Sequence, residues 1–163
     1  MTTDEAVDPL MIYVSDRALV RAKVSALAAA PRELGGIMVG YWDSEGVVVV
    51  LDLLTVPDHR ASHTHYERRH SAAQQRLDEY LCAGAVANAG YVGEWHSHPA
   101  PQPPSSVDRA ALGGIVRQAR HKVALLVVAL APDGTFHSHG LIGRPKRLRR
   151  VAIEPALVER MSS

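Results

Sequence analysis

The sequence contains a single cysteine, Cys82, which excludes a disulfide within the chain and any metal site built from several thiolates. It has one phenylalanine, and aromatic residues make up only 5% of it. No apolar run approaches the roughly 20 residues that a membrane-spanning helix needs. Residues Met1 to Pro9 are acidic and polar, without the basic flank and apolar stretch of a signal peptide. There is also no excess of one charge: 18 Lys and Arg stand against 17 Asp and Glu, for a net charge of +1. Such a balance gives no global attraction to nucleic acid or to a membrane surface. A glycine-rich phosphate loop is absent, as is the Pro-Cys-x-x-Cys element of the zinc-dependent deaminases. The expectation is a cytoplasmic protein with no nucleic-acid or membrane partner.

What is present reads as one globular domain: 163 residues, 47% hydrophobic and 21% charged. A flexible N-terminus is expected over 1–9, the domain over 10–155 and a C-terminal tail over 156–163. Leu10 to Val14 reads as a first strand. Ser15 caps a helix from about Asp16 to Ala30, which Pro31 ends. Ile37 to Trp42 and Val47 to Val56 flank an Asp43-Ser44-Glu45-Gly46 turn and form a hairpin. Pro57 to Thr64 is irregular, and a long helix is expected over about Tyr66 to Ala89. Then come a strand at Tyr91 to His96, an extended loop with four prolines between Pro99 and Pro104, and a helix from Ser105 to His121. Val123 to Ala131 and Thr135 to Ile142 read as strands. The chain ends with Leu148 to Ile153 and a short helix. Strands alternate with helices, yet two pairs look like hairpins. The fold class is therefore α/β (α+β), a mixed sheet flanked by helices.

The chemistry concentrates in Gly93-Glu94-Trp95-His96-Ser97-His98-Pro99 and the following Ser105-Ser106-Val107-Asp108. On a strand, residues two apart share a face, so His96 and His98 lie roughly 6.6 Å apart at Cα. Two imidazoles at that spacing can converge on one metal ion. The proline-rich loop returns the chain so that Asp108, in the first helical turn, can offer a carboxylate. Two histidines, one carboxylate and an open position form the pattern of a catalytic zinc site. Glu94 shares the strand face of His96 and is one candidate base.

With an upstream Glu33-x-Gly35-Gly36, the His96-Ser97-His98-Pro99 and Ser105-x-x-Asp108 elements resemble the JAMM (MPN+, JAB1-type) metallopeptidases, and most closely their prokaryotic JAB branch. The resemblance runs from about Leu10 to Ile142. It implies a JAMM/MPN-like, cytidine-deaminase-like fold and one Zn2+ per chain on His96, His98 and Asp108. It also implies Glu33 as general base and Ser105 as a donor to the tetrahedral oxyanion. The implied reaction is hydrolysis of the peptide or isopeptide bond after the C-terminal tail of a ubiquitin-like or sulfur-carrier-like protein, which is then substrate and partner. Six residues separate His98 from Ser105, one fewer than is usual in that family. The Ser-x-x-Asp spacing selects Ser105 over Ser106.

Rival readings stay open. Ser105-x-x-Asp108 also resembles a helix capping box. Members of the superfamily that lose their ligands act as scaffolds, and a zinc peptidase could cut unrelated small peptides. His65-x-Glu67-x-x-His70 mimics a zincin motif, but its histidines are five apart, about 140° around a helix. His137-Ser138-His139 repeats the triplet without the proline, and reads as an exposed strand face. Trp95 faces away from the two histidines and reads as core. Gly35-Gly36 reads as a close backbone approach beside the site. Arg144 to Arg150 is a basic run, read as a solvated edge.

Overall fold

The computed structural model describes residues 8–57, 70–84 and 86–162. In chain order these form β1 (Met11–Ser15), α1 (Asp16–Ala29), β2 (Gly35–Ser44), β3 (Val47–Thr55), α2 (His70–Cys82), β4 (Gly90–His98) and α3 (Ser106–Ala119). They continue as β5 (Val123–Leu130), β6 (Phe136–Pro145), a 3-10 turn at Arg147–Arg149, and β7 (Val151–Met161). The class is mixed α/β, as expected. The strands run in the order β1-β3-β2-β4-β5-β6-β7, and β7 returns to β1, so the sheet closes on itself. β1 is parallel to β3 and to β7, and β4 is parallel to β5. The remaining pairs are antiparallel.

The closure comes from a segment whose structure differs from expectation. A short helix is expected after Ile153, but β7 continues to Met161. Its side chains alternate: Ala156 and Val158 pack on the interior cluster, whereas Leu157 and Glu159 are exposed. Period-two alternation is the strand pattern. Both neighbouring edges pair with it, Pro155 to Leu141 and Val158 to Ile12, which leaves no open edge at β1 or β6. The helix expected over Tyr66 to Ala89 is shorter at its C-terminal end, stopping at Cys82; Gly84 and Asn88 then take positive φ values of 90° and 67° that no helix continues through. Its expected start at Tyr66, and most of the Pro57 to Thr64 loop with His59 and His63, lie outside the described residues.

Three apolar clusters hold the layers. Inside the ring, Ile12, Val14, Met38, Val50, Trp95, Leu126 and Ile142 pack together, and α1 adds Ala18, Leu19 and Ala22. Ser15 starts that helix by accepting the Ala18 N–H. On the outer face α3 covers β5 and β6 with Leu112 and Val116, and α2 covers β2 and β3 with Ala73. Between the two outer helices runs the outer face of β4. Among the described residues, no helix is long and apolar enough to cross a membrane.

Gly36 shows how tightly β2 and β3 meet beside β4. A Cβ at this position would lie 1.8 Å from the Leu54 carbonyl oxygen. That oxygen is held in place because it accepts the Trp95 Nε1–H at 3.1 Å. Gly36→Ala is therefore expected to cost about 2 kcal/mol or more in urea unfolding, because backbone must shift. Gly90→Ala, where an added Cβ meets nothing within 4 Å, is the control and is expected to stay within about 0.5 kcal/mol.

Candidate metal centre

β4 alternates between the two sides of the ring. Trp95 points inward and is fully buried, as expected of a core residue. His96 and His98 point outward into the furrow between α2 and α3, and both are buried there. The strand is central: His96 pairs with Gly35 on one side and Val127 on the other. Its backbone is thus fixed from both sides, which fixes the directions of the two imidazoles.

The loop after His98 brings α3 back over the same furrow. Ser105 is the N-cap of α3, and its side chain accepts the Asp108 N–H at 3.1 Å. Asp108 reciprocates: its Oδ2 accepts the Ser105 N–H at 2.6 Å and the Ser105 hydroxyl at 2.9 Å. This is a complete capping box. The box still leaves the carboxylate beside both histidines: Asp108 Oδ1 lies 3.2 Å from His96 Nε2 and Oδ2 lies 3.4 Å from His98 Nε2. The shortened loop still delivers the carboxylate to both histidines.

His96 Nε2 and His98 Nε2 are 3.1 Å apart. Three donor atoms on a tetrahedral ion with bonds of about 2.0–2.1 Å are separated by roughly 3.3–3.4 Å, so the triangle fits a small divalent cation. Among the described residues, His96, His98 and Asp108 form the one group of this kind. Tautomer chemistry agrees. His98 Nδ1 lies 2.8 Å from the Gln102 carbonyl oxygen, which can only accept, so Nδ1 carries the proton and neutral His98 offers its Nε2 lone pair to the site. Two of these groups have shifted proton affinities. Burial works against the charged His98, but its hydrogen bonds to Asp108 and Gln102 and the charges of Asp108 and Glu33 outweigh it, so its pKa is raised. Burial likewise works against the Asp108 carboxylate. Hydrogen bonds with His96 and His98, the charge at His96 and the Ser105 N–H prevail, and hold the carboxyl far below the usual carboxylate range.

Glu33, between α1 and β2, is buried, with Oε1 3.9 Å from His98 Nε2. Glu94 lies further down the same strand face, where its Oε1 accepts the Tyr91 hydroxyl at 3.2 Å. His137 and His139 sit on β6, in register with Ala129 and Val127 and hence two strands from His96 and His98. His137 is exposed and His139 is half-buried; burial, then the charges of His137 and His98, lowers the His139 pKa. His70 begins α2, while His65 and Glu67 lie outside the described residues. Two residues that the motif reading passed over also shape the site. Gln102 sets the His98 tautomer. Ser97 is buried on the inner side of β4 and accepts the Leu34 N–H at 3.0 Å. The available signal for Ser97 was a hydroxyl at a position whose strand neighbours on that face are core.

Fold and site together define a mixed α/β domain with a candidate metal centre at the C-terminal end of a central strand. Residues 16–133 match the family model described as prokaryotic homologs of the JAB domain, and the chain belongs to that family. All five expected site residues fall inside the match. The chain is 26% identical over 152 residues to a protein of Enterobacter hormaechei subsp. hoffmannii (strain UCI 50) named CD-NTase/cGAS isopeptidase, covering 87% of this chain and 82% of that one. Its fold is similar to the solution structure of protein DSY2949 from Desulfitobacterium hafniense, with a TM-score of 0.65 and 18% identity over 93% of this chain and 95% of that one.

Two outcomes are expected at this centre. Ser105→Ala removes the N-cap acceptor, so metal-free protein should lose about 1 kcal/mol in thermal unfolding while keeping its capacity for a divalent cation. Cation uptake near neutral pH should release protons, because the raised His98 pKa makes the proton the competitor. Affinity should then rise with pH until His98 is neutral, as titration calorimetry in buffers of different ionisation enthalpy would read.

Proposed function

We propose that this chain is a zinc-dependent isopeptidase of JAMM type, with one Zn2+ per chain. It hydrolyses the bond after the C-terminal tail of a ubiquitin-like or sulfur-carrier-like protein. The observation that carries the reading is the triangle of His96, His98 and Asp108 with a buried carboxylate, Glu33, 3.9 Å from His98 Nε2. The likeness to a relative named an isopeptidase supports the bond type. That relative's name also makes a conjugate on a CD-NTase-class protein the first macromolecular substrate to test. We take the fold to be the cytidine-deaminase-like architecture of JAMM domains, and the protein to act in the cytoplasm.

When bound, zinc supplies Lewis acidity and lowers the pKa of water to about 7. The chain's own residues do the rest. His98, fixed as one tautomer by Gln102, and His96 present lone pairs to the ion. Asp108 adds the negative charge. Glu33 accepts a proton from the attacking water and returns it to the leaving amine as the carbon–nitrogen bond breaks. Ser105 takes up the oxyanion role by exchanging its hydrogen bond to Asp108 Oδ2 for one to the substrate oxygen. Ser105 is exposed at the start of α3, and an extended tail can approach the centre from there.

The test is a cleavage panel of ubiquitin-like fusions and conjugates, with short peptides as controls. Glu33→Gln should keep bound zinc and lower kcat by about 10²–10⁴-fold, while Glu94→Gln stays near the parent rate. Normal cleavage by Glu33→Gln with loss in Glu94→Gln would move the base to Glu94. Cleavage of the peptides alone would replace the isopeptidase reading with a small-peptide one.

A further inference from the structure

Ser97 stands between the two histidines but faces the other way. It is 2% exposed and shares the inner side of β4 with fully buried Trp95. A hydroxyl in that position needs a partner, and it has one in the segment that carries Glu33. Ser97 Oγ accepts the Leu34 N–H at 3.0 Å, and the Ser97 N–H donates to the Leu34 carbonyl oxygen at 2.7 Å. β2 begins at Gly35, opposite His96. The Ser97–Leu34 pair therefore fastens the chain one residue before the strand starts. The gripped N–H belongs to the peptide group that joins Glu33 to Leu34, so the hydroxyl fixes the orientation of the backbone from which the Glu33 side chain departs.

The consequence is geometric. His96-Ser97-His98 presents two imidazoles outward and one clamp inward within three residues. The distance from the carboxylate to the imidazoles is then set across a single strand pair. We propose that Ser97 is a positioning residue for Glu33: through Leu34 it holds the carboxylate at the metal-facing side of His98. This rests on the reading of Glu33 as the general base. Ser97→Ala leaves the backbone half of the clamp in place but strips the half-buried Leu34 N–H of its acceptor, freeing the Glu33–Leu34 peptide to rotate.

The experiment compares parent, Ser97→Ala, Ser97→Thr, Glu33→Gln and the Ser97→Ala/Glu33→Gln double variant. Each is loaded with zinc and assayed on one cleavable ubiquitin-like fusion. Ser97→Ala should lower kcat by about 10–100-fold with KM and zinc content unchanged, the loss that misplacing a catalytic group by an ångström produces. Ser97→Thr keeps the hydroxyl and should recover to within about threefold. In the double variant Ser97→Ala should add nothing to Glu33→Gln, because one acts through the other. Independently of activity, amide hydrogen exchange on metal-free protein should speed up at Leu34 in Ser97→Ala and remain slow in Ser97→Thr. A silent Ser97→Ala beside an inactive Glu33→Gln overturns the positioning role and leaves the base in place. A silent Glu33→Gln overturns both. Loss of zinc together with activity in Ser97→Ala, or additive losses in the double variant, also overturns it, because Ser97 would then support the histidines. Should Ser97→Thr fail to fold, unchanged Leu34 exchange in Ser97→Ala still decides against the clamp.

Discussion

The two-residue alternation of β4, locked between β2 and β5, is the constraint on which the site depends. Its inner positions bind the strand to the core through Trp95 and to the Glu33 segment through Ser97. Its outer positions present His96 and His98. A register slip of one residue would exchange the faces, burying the imidazoles in the apolar interior and exposing Trp95. Ladders on both sides of β4 make that slip prohibitive. Closure of the sheet by β7 extends the same rigidity around the ring.

Asp108 serves two purposes with one carboxylate. Oδ2 accepts the Ser105 N–H and hydroxyl and also lies 3.4 Å from His98 Nε2, so the side chain is held as a helix cap. Oδ1 faces His96. A carboxylate pre-ordered by secondary structure would lose little conformational freedom on taking up a cation. In the metal-free protein, His98 and Asp108 stabilise each other's charged forms, so the half-buried carboxylate is not left uncompensated.

Much of this was legible in the sequence because the relevant signals are local. Strand periodicity put His96 and His98 on one face and Trp95 on the other, and the Ser-x-x-Asp spacing put Asp108 at a helix start. The capping-box reading of that spacing is present in the geometry, and the same carboxylate lies beside both histidines. Gly35-Gly36 reads as a close approach and is one: a Cβ on Gly35 would meet the Trp95 carbonyl oxygen at 2.3 Å. What was not legible depends on distant partners. The strand character of residues 154–161 arises from pairing with β1, far away in sequence, while local charges such as Glu159 and Arg160 suggest a solvated helix. The grip of Ser97 on Leu34 spans 63 residues, and no local pattern encodes it. The proximity of Glu33 to His98 follows from resemblance in the sequence and from β2–β4 pairing in the structure.

The most direct measurement is the metal content of the purified chain at neutral pH without chelator, by elemental analysis of the parent protein and of His96→Ala. The geometry predicts about one zinc per parent chain and a near-complete loss in the variant. Less than about half an equivalent in the parent, or equal content in the two proteins, would contradict a metal centre on His96, His98 and Asp108.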